Sequence, residues 1–426
     1  MRGIFLIAIL ILDLALFCSC NKDEDSQPPV INFIEPAESL FLLLPDTVRV
    51  VAEVRDETNI TVVEVSLVNE HGIPIVTGGF YYPDTSFYKV TSYLSITDKS
   101  IPSGTYQIKV MTSDYYNIAT SYRSIFLNEI PQELMGYLAV TASYPFESTV
   151  IRLDPQFNTD SSFVFPKGFQ LSGFHGLWEQ FYFVSSEPSV LYAFNDSDFE
   201  PLYEFAAWLP RPVFSSILTD QQLLFSTMNG DAGILNSQGQ IVIITQPQPA
   251  KTIQCFAADE NYLYAEMVSL SGAVREFSAF YRVTGAVRAQ RLVSDDIMAL
   301  QAFQGKALLI SNSETNTILS EFDPDDMLIT DLKSMLRQEI SSTLKINEND
   351  FLIFTEDGLM LYEYDVNYIS EYLPGSYAFG RYDHLNDRLY LVRDSAVEIF
   401  NPIASFPTII PFNEPVKDFH LIFNKK

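Results

Sequence analysis

The stretch Asp259-Glu260-Asn261-Tyr262-Leu263-Tyr264-Ala265 sets a polar turn against a short apolar strand, and its pattern recurs along the last two thirds of the chain. The apolar half returns as Tyr137-Leu138-Ala139-Val140, Phe181-Tyr182-Phe183-Val184, Leu223-Leu224-Phe225-Ser226, Ala307-Leu308-Leu309-Ile310, Phe351-Leu352-Ile353-Phe354 and Leu389-Tyr390-Leu391-Val392. The polar half returns at Asp220-Gln221-Gln222, Glu348-Asn349-Asp350 and Asn386-Asp387-Arg388. The spacing is about 38–45 residues, a period that belongs to repeat architectures. A second marker keeps step, a bulky residue followed by a turn former: Leu153-Asp154, Phe194-Asn195, Leu235-Asn236, Val283-Thr284, Phe322-Asp323, Tyr364-Asp365 and Phe400-Asn401. It lies roughly 11–21 residues after the first, as expected where an Asx turn closes a hairpin.

Before several of these units stands one more apolar strand, at residues 213–218, 253–257 and 340–344. The first unit lacks it, and the last segment, Val416 to Phe423, can supply it. A ring closed by three strands from the start and one from the end leaves no long open edge. Residues 130–426 therefore read as a seven-bladed β-propeller closed by the C-terminal strand.

Residues 30–129 read differently. Val48, Val50, Ala52 and Val54 alternate with Arg49, Glu53 and Arg55, and Val63, Val65 and Leu67 alternate with Glu64 and Ser66. A period of two is the mark of half-buried strands. Gly104-Thr105-Tyr106 resembles the tyrosine corner of immunoglobulin-like sandwiches, and Asp114 followed by Asn117 resembles the end of that strand in bacterial surface modules. Room exists for seven short strands. The fold class is all-β: an immunoglobulin-like β-sandwich followed by a seven-bladed β-propeller.

The N-terminus opens on Arg2 and a nearly unbroken apolar run over residues 4–17, then Cys18-Ser19-Cys20. This is the form of a secretory signal, shorter than the roughly 20 residues a spanning helix needs. Ser19-Cys20 resembles the lipobox of bacterial lipoproteins, with Phe17 departing from its usual Leu. Residues 1–19 are then signal peptide, Cys20 is lipidated, and 20–29 form a tether. Lys22, Asp23 and Glu24 resemble the export signal of surface lipoproteins from the Bacteroidota. The whole chain resembles members of that set which pair a sandwich with a divergent propeller. The resemblance implies an outer-membrane, lipid-anchored protein exposed at the cell surface, touching the membrane only through the lipid on Cys20.

The chain carries 26 basic and 54 acidic residues, a formal charge of −28. Such a field repels nucleic acid and anionic lipid, so neither is an expected partner. With Cys18 removed and Cys20 acylated only Cys255 remains, and His71, His175, His384 and His420 are scattered. No disulfide, metal site or cofactor is expected.

A search for catalytic and nucleotide-binding motifs finds none. Gln304-Gly305-Lys306 falls where the other repeats place a turn, and Asp323-Pro324-Asp325-Asp326 reads as an acidic turn before a Ca²⁺ loop. Arg381-Tyr382-Asp383-His384 offers an acid, a base and a cation, but falls where an inner strand enters a turn and reads as structural. In a four-stranded blade the loops between strands two and three and those between blades gather on one face. There lie Tyr144 and Phe146 (loop 141–148), Trp208 and Arg211 (loop 206–213), Arg275 (loop 267–278, longer than its siblings by about eight residues) and Tyr377 (loop 373–379). Exposed aromatics with Arg suit recognition of protein or glycan. Gly79-Phe80-Tyr81-Tyr82 is a second aromatic candidate. The expected function is a non-catalytic, surface-displayed binding protein. A glycan-cleaving propeller enzyme and a periplasm-facing scaffold are the alternatives.

Overall fold

In a computed structural model the described residues form strands joined by turns, with one 3₁₀ turn at Gly176–Trp178. The structure describes residues 27–144, 146–186, 189–205, 214–219, 223–227, 230–243, 245, 251–401 and 406–425, with backbone alone for 144, 205, 214–219 and 241–243. Cys20, Lys22, Asp23, Glu24, Trp208 and Arg211, and the side chain of Tyr144, lie outside them. Among the described residues no helix is long and apolar enough to cross a membrane. The chain divides between Pro131 and Gln132 into two compact units.

The first unit has eight strands: β1 (Val30–Glu35), β2 (Leu40–Leu43), β3 (Asp46–Ile60), β4 (Val62–Val68), β5 (Pro74–Tyr81), β6 (Thr85–Ile96), β7 (Gly104–Ser113) and β8 (Ile118–Asn128). They form a three-stranded sheet, β1-β3-β6, and a five-stranded sheet, β2-β8-β7-β4-β5. The strand beyond the expected seven is β2, four residues long, running parallel to β8. Alternation sends Val48, Val50, Ala52 and Val54 of one sheet and Val63, Val65, Leu67, Ile108 and Val110 of the other into a single core. Tyr106 is buried, and its hydroxyl donates to the Pro102 carbonyl four residues upstream at 3.0 Å.

The second unit contains seven four-stranded antiparallel sheets among the described residues. The first runs Val416–Phe423, Leu134–Tyr144, Glu147–Leu153, Thr159–Phe165, so its first strand comes from the C-terminal segment. The other six take their four strands in chain order; in the fourth sheet these are Lys251–Ala258, Tyr262–Ser269, Arg275–Tyr281 and Val287–Val293. Each apolar quartet named above falls on the second strand of its sheet, apart from Val416–Phe423 taking first place in sheet one. The first strands of successive sheets touch one another, and Val416–Phe423 touches both Phe379–Asp383 of the seventh sheet and Phe169–His175 of the second. That cycle of contacts is the β-propeller arrangement.

Turn chemistry explains the repeats. Asp154, Asn195, Asn236 and Asp323 each accept the backbone N–H two residues on, at 2.8, 2.8, 3.1 and 2.8 Å. These Asx turns join third strands to fourth strands. In the fourth sheet the third strand ends at Tyr281, two residues before the Val283 marker. Gln304 and Gly305 both have positive φ, +48° and +77°, as a two-residue hairpin turn requires.

Where the first and seventh sheets meet, Tyr137, Tyr390 and Phe419 are fully buried. The two tyrosine hydroxyls share a hydrogen bond of 3.0 Å, and both rings stack near Phe419 at 5.6 and 5.8 Å. Phe419→Ala is expected to lower stability by about 3–5 kcal/mol, the range for truncating a buried Phe. Tryptophan fluorescence reports this unit, because Trp178 and Trp208 both belong to it. The check is a fall in the guanidinium midpoint of that signal; an unchanged midpoint would mean the seam tolerates the cavity.

Candidate functional site

Between the sixth and seventh sheets, turns after second strands and the segments that join sheets meet on one face and enclose an open cleft of about 550 Å³. It is lined by Glu339 and Ser341, by Thr355 and Glu356 at the turn after strand Asp350–Thr355, by residues 375–378 joining the two sheets, and by Arg393 and Asp394 at the next turn. Its floor is one connected group. Tyr377 is buried and donates to Glu398 Oε2 at 3.0 Å. The Arg393 guanidinium lies 4.3 Å from the Tyr377 ring centroid, donates to the Ser376 carbonyl at 3.1 Å and sits 3.5 Å from Glu398 Oε1. Burial and the bond to Glu398 push the Tyr377 phenol up to about 12. Gly375, at φ +102°, allows this packing, because a Cβ there would stand 2.5 Å from Arg393 Nη2.

Arg393 is thus committed to the protein. Two of the hydroxyls are too: Ser341 reaches the Phe354 and Tyr377 carbonyls, and Thr355 donates to the Gly358 carbonyl at 2.8 Å. What the cleft offers a visitor is the exposed carboxylates of Glu339, Glu356 and Asp394. It can accept hydrogen bonds from hydroxyl or amine donors, and it disfavours anions. Among the described residues no group of three or more His, Cys, Asp or Glu is placed to hold a metal ion.

The structure places the sequence-derived site residues unevenly. Phe146 is 69% exposed at the turn between Leu134–Tyr144 and Glu147–Leu153, on this face. Tyr377 is at the cleft but beneath Arg393, so it is a packing residue and not an exposed platform. Arg275 is not in a loop: it opens the strand Arg275–Tyr281, which pairs with Tyr262–Ser269 across a tight turn over residues 270–274. Its guanidinium pairs with Glu266 at 2.8 Å and Asp296 at 2.5 Å, tying the fourth sheet to the fifth. Burial raises the Glu266 carboxyl, opposed by its hydrogen bond from Arg275. His384 is exposed in its turn and meets Gln132 Oε1 at 3.0 Å, while buried Asp383 caps that turn by accepting from Leu385 and Asn386.

One constellation had no sequence signal. Ser172, Arg381, Asp418 and His420 come from three different sheets and meet where the ring closes. Asp418 accepts from Ser172 Oγ at 2.7 Å and Arg381 Nη2 at 2.8 Å, and His420 Nε2 lies 2.8 Å from Ser172 Oγ and 3.3 Å from Asp418 Oδ2. Burial alone would raise the Asp418 carboxyl. The positive charges of His420, when protonated, and Arg381, with hydrogen bonds from His420 and Ser172, outweigh it and hold Asp418 below the usual carboxylate range. A Ser–His–Asp relay needs the acid on the ring nitrogen opposite the serine. Here both partners meet Nε2, so the group is wired as a latch.

No family model matches the sequence, and no curated protein matches it. Solved structures do. The Neurospora crassa Pan2 WD40 domain matches with 9% identity and a TM-score of 0.48 over 67% of this chain and 88% of that one. BamB from Moraxella catarrhalis matches with 14% identity and a TM-score of 0.44 over 67% and 88%. A quinonprotein alcohol dehydrogenase-like protein from Bacteroides thetaiotaomicron VPI-5482 matches with 11% identity and a TM-score of 0.39 over 94% and 98%.

Because the folded pKa of Asp418 is depressed, its stabilisation is complete above the unfolded value near 4 and is lost as pH falls below it. Asp418→Asn is expected to destabilise the unit by about 3 kcal/mol at pH 7, by leaving Arg381 without its counter-charge. It should also flatten the fall in thermal midpoint of the parent protein between about pH 5 and pH 2. Melting curves across that range check both; parallel curves for the two proteins would remove Asp418 from the latch.

Proposed function

We propose that this chain is a surface-displayed, lipid-anchored binding protein of the Bacteroidota type, with an immunoglobulin-like sandwich and a seven-bladed propeller, capturing a glycan or protein partner without chemistry. The observation that carries the binding reading is the cleft between the sixth and seventh sheets, whose Arg393, Tyr377, Ser341 and Thr355 are engaged with its own framework while its carboxylates stay exposed. Such a surface contacts a ligand but holds no poised nucleophile. The misdirected Ser172–His420–Asp418 group points the same way.

The seven-bladed reading is supported by seven four-stranded sheets and their closed cycle of first-strand contacts. The immunoglobulin-like reading is supported by two sheets sharing one core and by the Tyr106 hydroxyl bonded to the Pro102 carbonyl, the hydrogen bond of a tyrosine corner. Display rests on Cys20 behind an apolar leader and on Lys22-Asp23-Glu24 after it.

Protease shaving of intact cells tests display. The wild type is expected to be digested, and a variant with Lys22, Asp23 and Glu24 all replaced by Ala to be protected. Protection of the wild type on whole cells, with digestion after lysis, would overturn the surface reading in favour of a periplasm-facing scaffold.

A further inference from the structure

On the fourth sheet, at the end away from the 270–274 turn, two tyrosines stand side by side. Tyr262 opens one strand, Tyr281 closes the next, and they are directly paired across the hairpin. Their ring centroids are 5.6 Å apart with the planes tilted by 38°. Together with Glu260, Asn261, Val283 and Thr284 they line a cleft of about 510 Å³. This is not the cleft of the sixth and seventh sheets, since it lies among the turns that join first to second and third to fourth strands.

The two rings have different duties. Tyr262 is built into the framework, its hydroxyl 3.3 Å from Asp325 and its ring beside Tyr264. Tyr281 is 41% exposed and Val283 is 93% exposed, a large apolar surface facing solvent. Neither the Tyr281 hydroxyl nor the Glu260 carboxylate is engaged by a hydrogen bond or ion pair among the described residues. Aromatic and aliphatic surface flanked by unengaged acceptors and donors is the composition of a small-molecule subsite.

Charge narrows the class. Asp325 beside the cleft is already matched by Arg288 at 3.0 Å. That leaves Glu260 as the one charged residue among those lining the cleft, and one exposed carboxylate holds a cation weakly. An anionic ligand meets both Glu260 and the field of a chain at −28. A neutral pyranose satisfies every feature: its apolar C–H face covers Tyr281 and Val283, and its hydroxyls reach Glu260 and Asn261. We propose that this cleft is a subsite for a neutral sugar residue of a glycan. The assignment goes beyond the display reading and does not depend on which side of the membrane the protein faces.

The test uses residues 20–426 carrying Cys20→Ala, titrated calorimetrically with maltohexaose, cellohexaose, mannohexaose and xylohexaose, and with trigalacturonate and hexaglucosamine as charged counterparts. At least one neutral hexasaccharide is expected to bind, and trigalacturonate is not. Tyr281→Ala should weaken that binding about tenfold or more, the effect of losing an aromatic platform. Glu260→Gln, which keeps an acceptor and drops the charge, should weaken it no more than about threefold. Val283→Asp is the second probe should Tyr281→Ala fail to fold, because a residue so exposed leaves the core untouched. The proposal is overturned if no neutral hexasaccharide binds, if Tyr281→Ala or Val283→Asp leaves binding unchanged, or if hexaglucosamine binds best and Glu260→Gln abolishes it, which would make the cleft a cation site. Failure of display would appear in the shaving experiment and leave these titrations unaffected.

Discussion

The antiparallel pairing of Val416–Phe423 with Leu134–Tyr144 carries the second unit. Six sheets are each complete within a continuous stretch of chain, whereas the first is complete only when strands from opposite ends of the unit meet. Without that pairing Leu134–Tyr144 would be an open edge, and an open edge invites association with other chains. The seam is reinforced at two levels. Tyr137, Tyr390 and Phe419 supply buried aromatic area, each worth about 1.5–3 kcal/mol. Beside them Asp418 gathers Ser172, Arg381 and His420, so the closing strand is held to the second and seventh sheets as well as to the first. A buried ion pair adds little over an apolar packing of equal volume but tolerates no missing partner. Its contribution here is register, because a one-residue slip of Val416–Phe423 would turn Asp418 out of the group.

The same economy governs charge elsewhere. Arg152 pairs with Asp196 at 2.7 Å, Lys306 with Glu321 at 2.8 Å, Arg275 with Glu266 and Asp296, and Arg393 with Glu398. Two of them, Arg152 with Asp196 and Arg275 with Asp296, join neighbouring sheets, and the others tie strands within one sheet. Cations are scarce in this chain and many serve as internal fasteners, which leaves the loops to the surplus of carboxylates. The acidic character of the surface therefore follows from how the sheets are held together, and it biases what can approach them.

Much of this architecture was legible because it repeats. The apolar quartets mark second strands, since those are covered on both faces by neighbouring sheets; Tyr182, Leu263 and Leu391 are fully buried. The Asx residues mark turns whose geometry they create, and the closing strand could be deduced from the strand missing in the first repeat. The site was less legible. Residues 267–278 look like a loop because Arg275 and Glu276 interrupt the apolar pattern, yet a paired Arg can sit within a strand when its carboxylates sit beside it. Tyr377 looks exposed because it lies between strands, but Arg393 covers it. Ser172 and Asp418 are separated by 246 positions, and no local pattern links them. Tyr281 carries no local signal, because its neighbours form an ordinary strand end and only the register with Tyr262 brings the two rings together.

A ring whose last strand completes its first sheet also imposes an order in time. The segment Leu134–Tyr144 is synthesised long before Val416–Phe423, and contacts of such sequence separation form slowly. Throughout that interval the first sheet has an uncovered side, with Tyr137 and Leu138 accessible to any other unfinished chain. A protein closed in this way keeps one sheet edge open to misassociation until its closing strand has been made.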